Sequence, residues 1–286
     1  MTNATVTPLT PSIGGEIEGI DLATPLTDAE AAFIHQALLD HHVIFFRNQT
    51  LDYEQHKAVG KLFGDLVKVP FVASVPDHPE IFEIIKLPEE RGIYNFGGNW
   101  HTDMTYLQEP ARVSVLYGVE MPASGGDTMF ASLEDAYSAL SPGMQRLLEG
   151  MTGIHTADRS YGTAGKFASD SIADEGMDVR PSAEAAAQIE HPVVRTHPET
   201  GRKALYVNPN FTFNFKDMTE DESKPLLDFL FKHMTRDEFV CRFRWTSGAV
   251  AIWDNRCTMH RALNDYDGHR RIVRRVTAGG DKPRLM

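Results

Sequence analysis

The second half of the chain is a series of short β-rich runs without a regular alternation of helices. These runs are PVVRTH (192–197), KALYVN (203–208), FVCRFRW (239–245), AVAIWDN (249–255) and RIVRRVT (271–277). One helical segment, KPLLDFLFKHM (224–234), interrupts them behind a capping pattern at Thr219–Glu222. A doubly wound parallel sheet needs a helix between successive strands, so this order argues against that class. We expect an α+β protein with a mainly β core, an antiparallel barrel or jelly roll with flanking helices.

The first half mixes helices and strands. Thr27–Glu30 is a capping-box pattern that opens an amphipathic helix over 29–42, and a second helix is expected at 53–64. Strands are expected at 43–47, 80–87, 99–106, 113–121 and 128–131, and helical segments at 132–150. Residues 158–190 lack clear periodicity, which is typical of a lid or an insert. With 286 residues and no internal repeat, the chain is expected to form a single domain over 1–286.

The charge of the chain restricts its partners. The net charge is −12, from 28 basic and 40 acidic residues, which disfavours binding to nucleic acid or to an anionic membrane. A small anionic substrate would need a local basic pocket. We expect neither a signal peptide nor a membrane span, because the first residues lack a basic and apolar leader pattern and no run of 18 apolar residues occurs. Cys241 and Cys257 are interpreted as free thiols in a reducing compartment, and the alternative is a single disulfide between them. We therefore expect a cytoplasmic protein.

His101 and Asp103 are the first candidate metal ligands. If 99–106 is a strand, both side chains leave the same face. Two other His-x-acid pairs, at His78 and His197, contain proline and are interpreted as turns. A metal site needs a third ligand, and the later histidines are His155, His191, His197, His233, His260 and His269. His260 follows an apolar strand and a polar turn, which would direct it to a barrel mouth. Two imidazoles and one carboxylate form the facial triad of non-haem Fe(II) oxygenases, although zinc binds the same donors.

A pair of arginines lies eleven residues beyond His260. On a strand, Arg271, Val273, Arg275 and Thr277 share one face. Two guanidinium groups on one apolar face repel each other unless anions lie between them. A keto acid carboxylate and an anionic substrate would supply such anions. The alternative is an exposed basic edge strand that pairs with surface carboxylates.

Several motifs in order resemble one enzyme family. NWHTD, GGDT, WDNR-x4-H and RR-x3-R resemble the taurine and aryloxyalkanoate dioxygenases, which depend on Fe(II) and 2-oxoglutarate. TPLTPSIGGEIEGIDLATPL resembles the family's amino terminus, and HPVVRTHPETGRKALYVN resembles its middle. The resemblance implies a cupin-like double-stranded β-helix and a single catalytic domain. It also implies Fe(II) as cofactor, with 2-oxoglutarate and O2 as cosubstrates.

The resemblance also implies residue roles. His101, Asp103 and His260 would bind iron and be the catalytic residues. Arg271 and Thr128 would bind 2-oxoglutarate. Trp253 would pack near it, and the alternative is that Trp253 is only a residue of the hydrophobic core. The residues expected to contact substrate are Arg275, Val69, Val72, Asn99, Met104, Tyr106 and Phe211. The sulfonate-specific members carry polar groups where this chain has Val69, Val72 and Gly97, so taurine itself is disfavoured.

These roles imply hydroxylation of a small anionic substrate with an apolar or aromatic body. The substrate would be a carboxylate, sulfonate or sulfate ester, and its oxidation would be coupled to decarboxylation of 2-oxoglutarate to succinate and CO2. One alternative is a taurine or alkylsulfonate dioxygenase that releases sulfite. Two alternatives from other classes are a non-catalytic anion-binding β-barrel and a metal enzyme that uses no keto acid. A homo-oligomer, dimer or tetramer, is also expected.

Overall fold

The computed structural model describes residues 3–90, 95–168 and 176–286. The helices are α1 Asp28–His41, α2 Tyr53–Lys61, α3 Leu133–Ser138, α4 Pro142–Glu149, α5 Asp158–Tyr161 and α6 Glu220–Met234. The strands of the first half are β1 Thr5–Pro8, β2 Gly15–Glu18, β3 Val43–Phe46, β4 Phe82–Lys86, β5 Ala111–Glu120, β6 Thr128–Ser132 and β7 Thr152–His155. Those of the second half are β8 Ile189–Pro192, β9 Val194–Thr196, β10 Lys203–Leu205, β11 Thr212–Phe215, β12 Val240–Phe243, β13 Val250–Asp254, β14 Thr258–Ala262 and β15 Arg271–Gly279.

Two facing sheets form the core. The main sheet has the strand order β1-β2-β3-β13-β5-β15-β4 and the smaller sheet has the order β12-β6-β14. Phe45 of the main sheet stacks on Phe243 of the smaller one at 4.0 Å between ring centroids, and Phe130 lies 5.6 Å from Trp253. Among the described pairs only β2 with β3 is parallel. The predicted mainly β jelly roll with flanking helices is therefore confirmed.

The helices cover the outer faces of the two sheets. Ile34 and Leu38 of α1 and Val59 of α2 pack on the face of the main sheet that points away from the smaller sheet. Both faces of β3 are therefore buried, which explains why Val43–Phe46 is a continuous apolar run rather than an alternating one. The predicted capping box is present at Thr27 and Glu30, and a second one at Thr219 and Glu222 opens α6.

The stretch 99–106 is not a strand, so the prediction for it was wrong. It forms a single bridge at His101 and then a turn, in which Met104 has a positive φ of 56°. His260 follows strand β13 and a turn, as predicted, but it lies within strand β14, which the sequence did not predict. Both errors have one cause: the bridge and β14 are stabilised by partners distant in sequence, which local composition does not reveal.

The remaining elements agree only in part with the predictions. The helical segments predicted at 132–150 are present as two helices, because α3 ends at Ser138 and Ser141 caps α4. Helix α2 stops at Lys61, earlier than expected. The expected insert 158–190 includes α5 and contributes Tyr161 and Phe167 to a cavity wall. Its residues 169–175 lie outside the described part, so its role as a lid stays a prediction. Cys241 and Cys257 are buried free thiols.

Candidate metal centre and its two cavities

His101 and His260 are brought together by backbone pairing. The N–H of each donates to the carbonyl of the other, at 3.0 and 2.8 Å. Residues paired in this way in an antiparallel bridge point their side chains to the same face. The two imidazole rings consequently lie 4.2 Å apart between centroids. Asp103 completes the group from the following turn, with Oδ1 at 3.7 Å from His101 Nε2 and 3.9 Å from His260 Nε2.

These three side chains fit a divalent metal ion. Their ligand atoms all lie within 4.8 Å of one another. Two ligands that each bind one ion at about 2.1 Å are at most about 4.2 Å apart, and both carboxylate-to-imidazole distances fall inside that limit. His101 Nδ1 donates to the Asn99 carbonyl at 2.7 Å, which leaves the lone pair of the neutral ring on Nε2, facing Asp103. His260 Nδ1 has no hydrogen-bond partner among the described residues.

The protonation states of the trio also suit a metal. Burial lowers the pKa of His101 and of His260, so both rings are neutral at neutral pH. Burial of Asp103 would raise its pKa, but the opposing effects, of which the charge of Arg275 is the largest, outweigh burial and lower the pKa to about 2. The carboxylate is therefore ionised and both imidazoles are unprotonated, which is the state in which these groups bind a metal.

Contacts from several elements hold the turn that carries Asp103. The Thr102 hydroxyl donates to the Thr258 carbonyl at 2.7 Å. His191 Nε2 lies 2.9 Å from the carbonyl oxygens of both Thr105 and Leu107. Asn208 donates to the Thr105 hydroxyl at 3.0 Å. The turn is thus rigidly held although it belongs to no sheet. His191 serves this support, as does His155 through the same hydroxyl, and neither belongs to a group of potential metal ligands among the described residues.

Arg271 and Arg275 share a buried face, as predicted. They are only 4% and 5% exposed, and β15 lies between β5 and β4 rather than at an edge. The alternative of an exposed basic edge strand was therefore wrong. Arg271 lies between the rings of Trp245 and Tyr266, 5.9 Å from each centroid, and burial lowers its pKa. Its Nε has no hydrogen-bond acceptor among the described residues, so this buried cation lacks a full set of partners.

A cavity on one side of the metal ligands contains Arg271. Its wall also includes Thr128, Trp253, Leu116 and Ala262. The Thr128 hydroxyl accepts a hydrogen bond from Trp245 Nε1 at 2.9 Å, which leaves its own proton available to a ligand. Trp253 is 1% exposed and its ring lies 4.7 Å from that of His260. The residues predicted to surround 2-oxoglutarate are therefore grouped together.

A second cavity, which shares His101 and Arg275 with the first, is largely aromatic. Its wall includes five of the predicted substrate residues together with Arg275: Val69, Asn99, Met104, Tyr106 and Phe211. Val72 packs in the apolar cluster behind this wall and forms a bridge with Val179, without lining the cavity. Four aromatic residues of the wall were not predicted: Phe82, Phe96, Tyr161 and Phe167. Two of them come from the insert that lacks periodicity, so sequence pattern offered no signal.

Arg275 contacts both the metal site and the second cavity. Its Nη1 lies 2.7 Å from Asp103 Oδ1, and its Nε donates to the Thr277 hydroxyl at 3.2 Å. The guanidinium carbon lies 5.1 Å from the centroid of the Phe82 ring. The expected repulsion between the two arginines is thus relieved in part by Asp103.

Two other groups of potential ligands share Cys257. One contains His42 and Glu134, and the other contains His197 and Asp254. Arg202 pairs with Glu134 at 2.7 Å, and Arg256 pairs with Asp254 at 2.5 Å. Burial, followed by the charges of Asp254 and Glu134, raises the pKa of Cys257 well above its usual value, which disfavours a metal-binding thiolate. Both groups are therefore interpreted as ion-pair networks, which Arg202 and Arg256 complete.

Comparisons with known proteins identify the family of this chain. Residues 5–277 match the family model described as "Taurine catabolism dioxygenase TauD, TfdA family". An alkylsulfatase from Acinetobacter baylyi is 37% identical over 96% of this chain and 84% of its own. An alpha-ketoglutarate-dependent sulfate ester dioxygenase from Pseudomonas putida is 36% identical over 97% of this chain and 90% of its own. The crystal structure of AAD-2 in complex with Mn(II) and N-oxalylglycine superposes with a TM-score of 0.80 at 28% identity, covering 99% of both chains. The protein therefore belongs to the TauD/TfdA family of dioxygenases.

Proposed function

We propose that this protein is an Fe(II)- and 2-oxoglutarate-dependent dioxygenase that hydroxylates a small anionic organic substrate. The observation that carries the proposal is the position of the buried, incompletely paired Arg271 guanidinium. It lines the same cavity as His101 and His260, so one bound molecule can reach both the cation and the metal site. A keto acid with a second carboxylate has the two functional groups that this arrangement requires.

His101, Asp103 and His260 hold the metal ion. Three protein ligands leave positions open for other ligands, which is the arrangement found in non-haem Fe(II) oxygenases. When bound, Fe(II) with 2-oxoglutarate and O2 supplies the oxidation, in which 2-oxoglutarate yields succinate and CO2 and the substrate is hydroxylated. The chain's own residues bind and orient the reactants and exclude water from the site.

Arg271 and Thr128 bind the distal carboxylate of 2-oxoglutarate. The guanidinium offers charge-assisted hydrogen bonds, and the Thr128 hydroxyl adds a donor whose orientation is set by Trp245. The close approach of the chain at Gly126 keeps Arg271 in place, because a Cβ there would lie only 3.2 Å from Arg271 Cδ and Nε. Trp253 forms the apolar wall beside His260.

The substrate enters the aromatic cavity and directs its anionic group to Arg275. Tyr106 can assist, because burial raises the pKa of its phenol and the group keeps its proton. Val69, Met104 and Phe211 contact the apolar body of the substrate, and Asn99 lies at the polar edge of the cavity. An apolar wall of this kind favours a substrate with a larger body than taurine. Among anions, the names of the two relatives favour a sulfate ester.

Three further expectations are part of the proposal. The protein acts as a single domain over residues 1–286, in the cytoplasm, and as a homo-oligomer. No helix in the described ranges is both long and apolar enough to cross a membrane. The net charge of −12 supports a small-molecule partner rather than a nucleic acid.

Two measurements test the proposal. Anaerobic addition of Fe(II) and then 2-oxoglutarate to the purified protein is expected to produce a weak visible charge-transfer band. Its absence in folded protein would contradict the oxygenase assignment and favour a non-catalytic anion-binding protein. A panel of alkyl sulfates, sulfonates, aryloxyalkanoates and carboxylates is then screened for substrate-dependent succinate release. The strongest succinate release is expected with an alkyl sulfate. A preference for taurine would contradict the expectation that the apolar wall favours a larger substrate.

A further inference from the structure

The two oxygens of the Asp103 carboxylate have different partners. Oδ1 faces His101, His260 and Arg275. Oδ2 accepts a hydrogen bond from the Ser114 hydroxyl at 2.8 Å. Ser114 is fully buried in β5, so this bond is shielded from water. The carboxylate therefore presents one oxygen to the metal site and has the other engaged by the protein.

Asn255 determines the direction of the Ser114 hydrogen bond. Asn255 Oδ1 accepts from the Asp103 backbone N–H at 3.3 Å and from Trp253 Nε1 at 3.0 Å. Both of these groups can only donate, so the amide orientation is unambiguous. Asn255 Nδ2 then donates to the Ser114 hydroxyl oxygen at 3.0 Å. Because this oxygen accepts from Asn255, the hydroxyl proton is left for Asp103 Oδ2.

The network connects a turn to a rigid sheet. Ser114 lies opposite Trp253 in the pairing of β5 with β13, and Asn255 directly follows β13. Asp103 belongs to a turn outside both sheets. Trp253 also contacts the His260 ring and lines the Arg271 cavity. The same buried group thus sets the position of the carboxylate relative to one histidine and to the first cavity.

We propose that Ser114 and Asn255 are positioning residues that hold the Asp103 carboxylate so that Oδ1 alone is directed at the metal site. The inference rests on the proposed metal site. Without Ser114, the carboxylate is free to rotate, so Oδ1 is no longer held toward the two histidines and the site is less well ordered for a metal ion. Outer partners of metal ligands commonly contribute about 10–100-fold to metal affinity.

The test compares Ser114→Ala with Ser132→Ala. Ser132 is a matched control, because it is also fully buried and caps α3, and its hydroxyl contacts His42 and Asp135 rather than a proposed metal ligand. Mn(II) affinity is measured by calorimetry, and the visible band of the Fe(II)–2-oxoglutarate complex is recorded anaerobically. Ser114→Ala is expected to weaken Mn(II) binding by about 10–100-fold and to shift or weaken the band, whereas Ser132→Ala retains both properties of the wild type.

Two more variants separate positioning from stability. Ser114→Thr retains the hydroxyl and is expected to restore most of the Mn(II) affinity. Asn255→Asp has nearly the same shape but cannot donate to Ser114, so it is expected to weaken binding in the same direction. Unchanged Mn(II) affinity and band in folded Ser114→Ala would overturn the proposal, as would an equal loss in Ser132→Ala. A wild-type protein that binds no metal would instead contradict the proposed function.

Discussion

Arg275 Nη1 lies 2.7 Å from Asp103 Oδ1, the same oxygen that faces both histidines. The carboxylate is therefore shared between a buried guanidinium and the metal site. This pairing explains why Asp103 remains ionised although it is buried. It also places a positive charge close to the proposed metal position, so we expect a bound metal and the guanidinium to compete for one oxygen.

Arg275→Gln is expected to tighten Mn(II) binding and weaken substrate binding. Removing the cation from the ligand oxygen should lower the Mn(II) dissociation constant by about tenfold, which corresponds to ~1.4 kcal/mol. The dissociation constant of the anionic substrate should rise, because the counter-charge in the aromatic cavity is lost. Calorimetry measures both values. Arg274→Gln is the control, since Arg274 instead pairs with Glu83. Mn(II) affinity equal to that of the wild type would show that the two cations do not compete.

Arg271→Ala is expected to raise the 2-oxoglutarate requirement far more than the substrate requirement. Charge-assisted hydrogen bonds contribute about 1.5–3 kcal/mol, so the half-saturating 2-oxoglutarate concentration should rise by about 10–100-fold. Succinate release at varied concentrations of each reactant measures the two effects. Arg270→Ala removes the exposed neighbour that pairs with Glu120 and should change neither. Equal effects of Arg271→Ala on both reactants would refute the division of roles between Arg271 and Arg275.

Gly126→Ala is expected to impair 2-oxoglutarate binding without touching a ligand directly. Gly126 has a φ of 69°, and an added Cβ would press on Arg271. Gly201→Ala is a close match, because Gly201 has a φ of 72° but nothing within 4 Å of the added atom. Each variant should lose roughly 1 kcal/mol of unfolding free energy from backbone strain. Only Gly126→Ala should raise the 2-oxoglutarate dissociation constant, and a similar rise in Gly201→Ala would assign the effect to general strain.

Asp103→Ala is expected to abolish substrate-dependent succinate formation. It also leaves Arg275 as a buried cation without its partner, so the free energy of unfolding should fall by about 3 kcal/mol. The double variant Asp103→Ala/Arg275→Met should recover much of this stability but none of the activity. Denaturant titration and succinate assays separate the two readouts. Succinate formation at the wild-type rate in the single variant would exclude Asp103 as a ligand.

The stability of the fold is expected to fall in mild acid because of His56. Burial lowers the pKa of His56 to about 4, and its Nε2 donates to the Val115 carbonyl at 3.1 Å. The ordinary value is near 6.5, so unfolding takes up a proton below that pH. Stability is therefore complete above pH 6.5 and decreases as the pH falls toward about 4, by up to about 3 kcal/mol for this residue.

Denaturant titrations at pH 7 and pH 5 test this expectation. His56→Gln can still donate to Val115 and should lose less stability between the two pH values than the wild type. The half-buried His35, which lies against Glu199 near the surface, offers the control, and His35→Gln should retain most of the pH dependence. If His56→Gln loses as much stability between pH 7 and pH 5 as the wild type does, other groups account for the acid sensitivity.

Much of the fold and part of the site could be predicted from local patterns. The capping boxes at Thr27 and Thr219 depend on residues within one helical turn. The buried face of Arg271 and Arg275 follows from strand alternation, because residues two and four apart point the same way. The stretch around Asp103 could not be predicted in this way, since long-range contacts with Asn255 and His191 override its strand-like composition.

The aromatic cavity was predicted only in part. Val69 and Phe211 line it, but Val72, three residues beyond Val69, lies behind the wall. Tyr161 and Phe167 come from a segment with no periodicity, so nothing local indicated that their rings face the cavity. The direction of side chains in irregular backbone depends on packing, which a sequence pattern does not encode.

The sequence by itself determined the class of the protein and the chemistry it can carry: strand-rich runs without alternating helices, two histidines and a carboxylate, and two arginines on one strand face. Only the tertiary structure decided how these groups meet. The bridge between His101 and His260, the Arg275 contact with Asp103 and the Ser114 contact with its other oxygen all join distant parts of the chain. The physical reason is that strand pairing and burial depend on partners far away in sequence, whereas residue chemistry and periodicity are local properties.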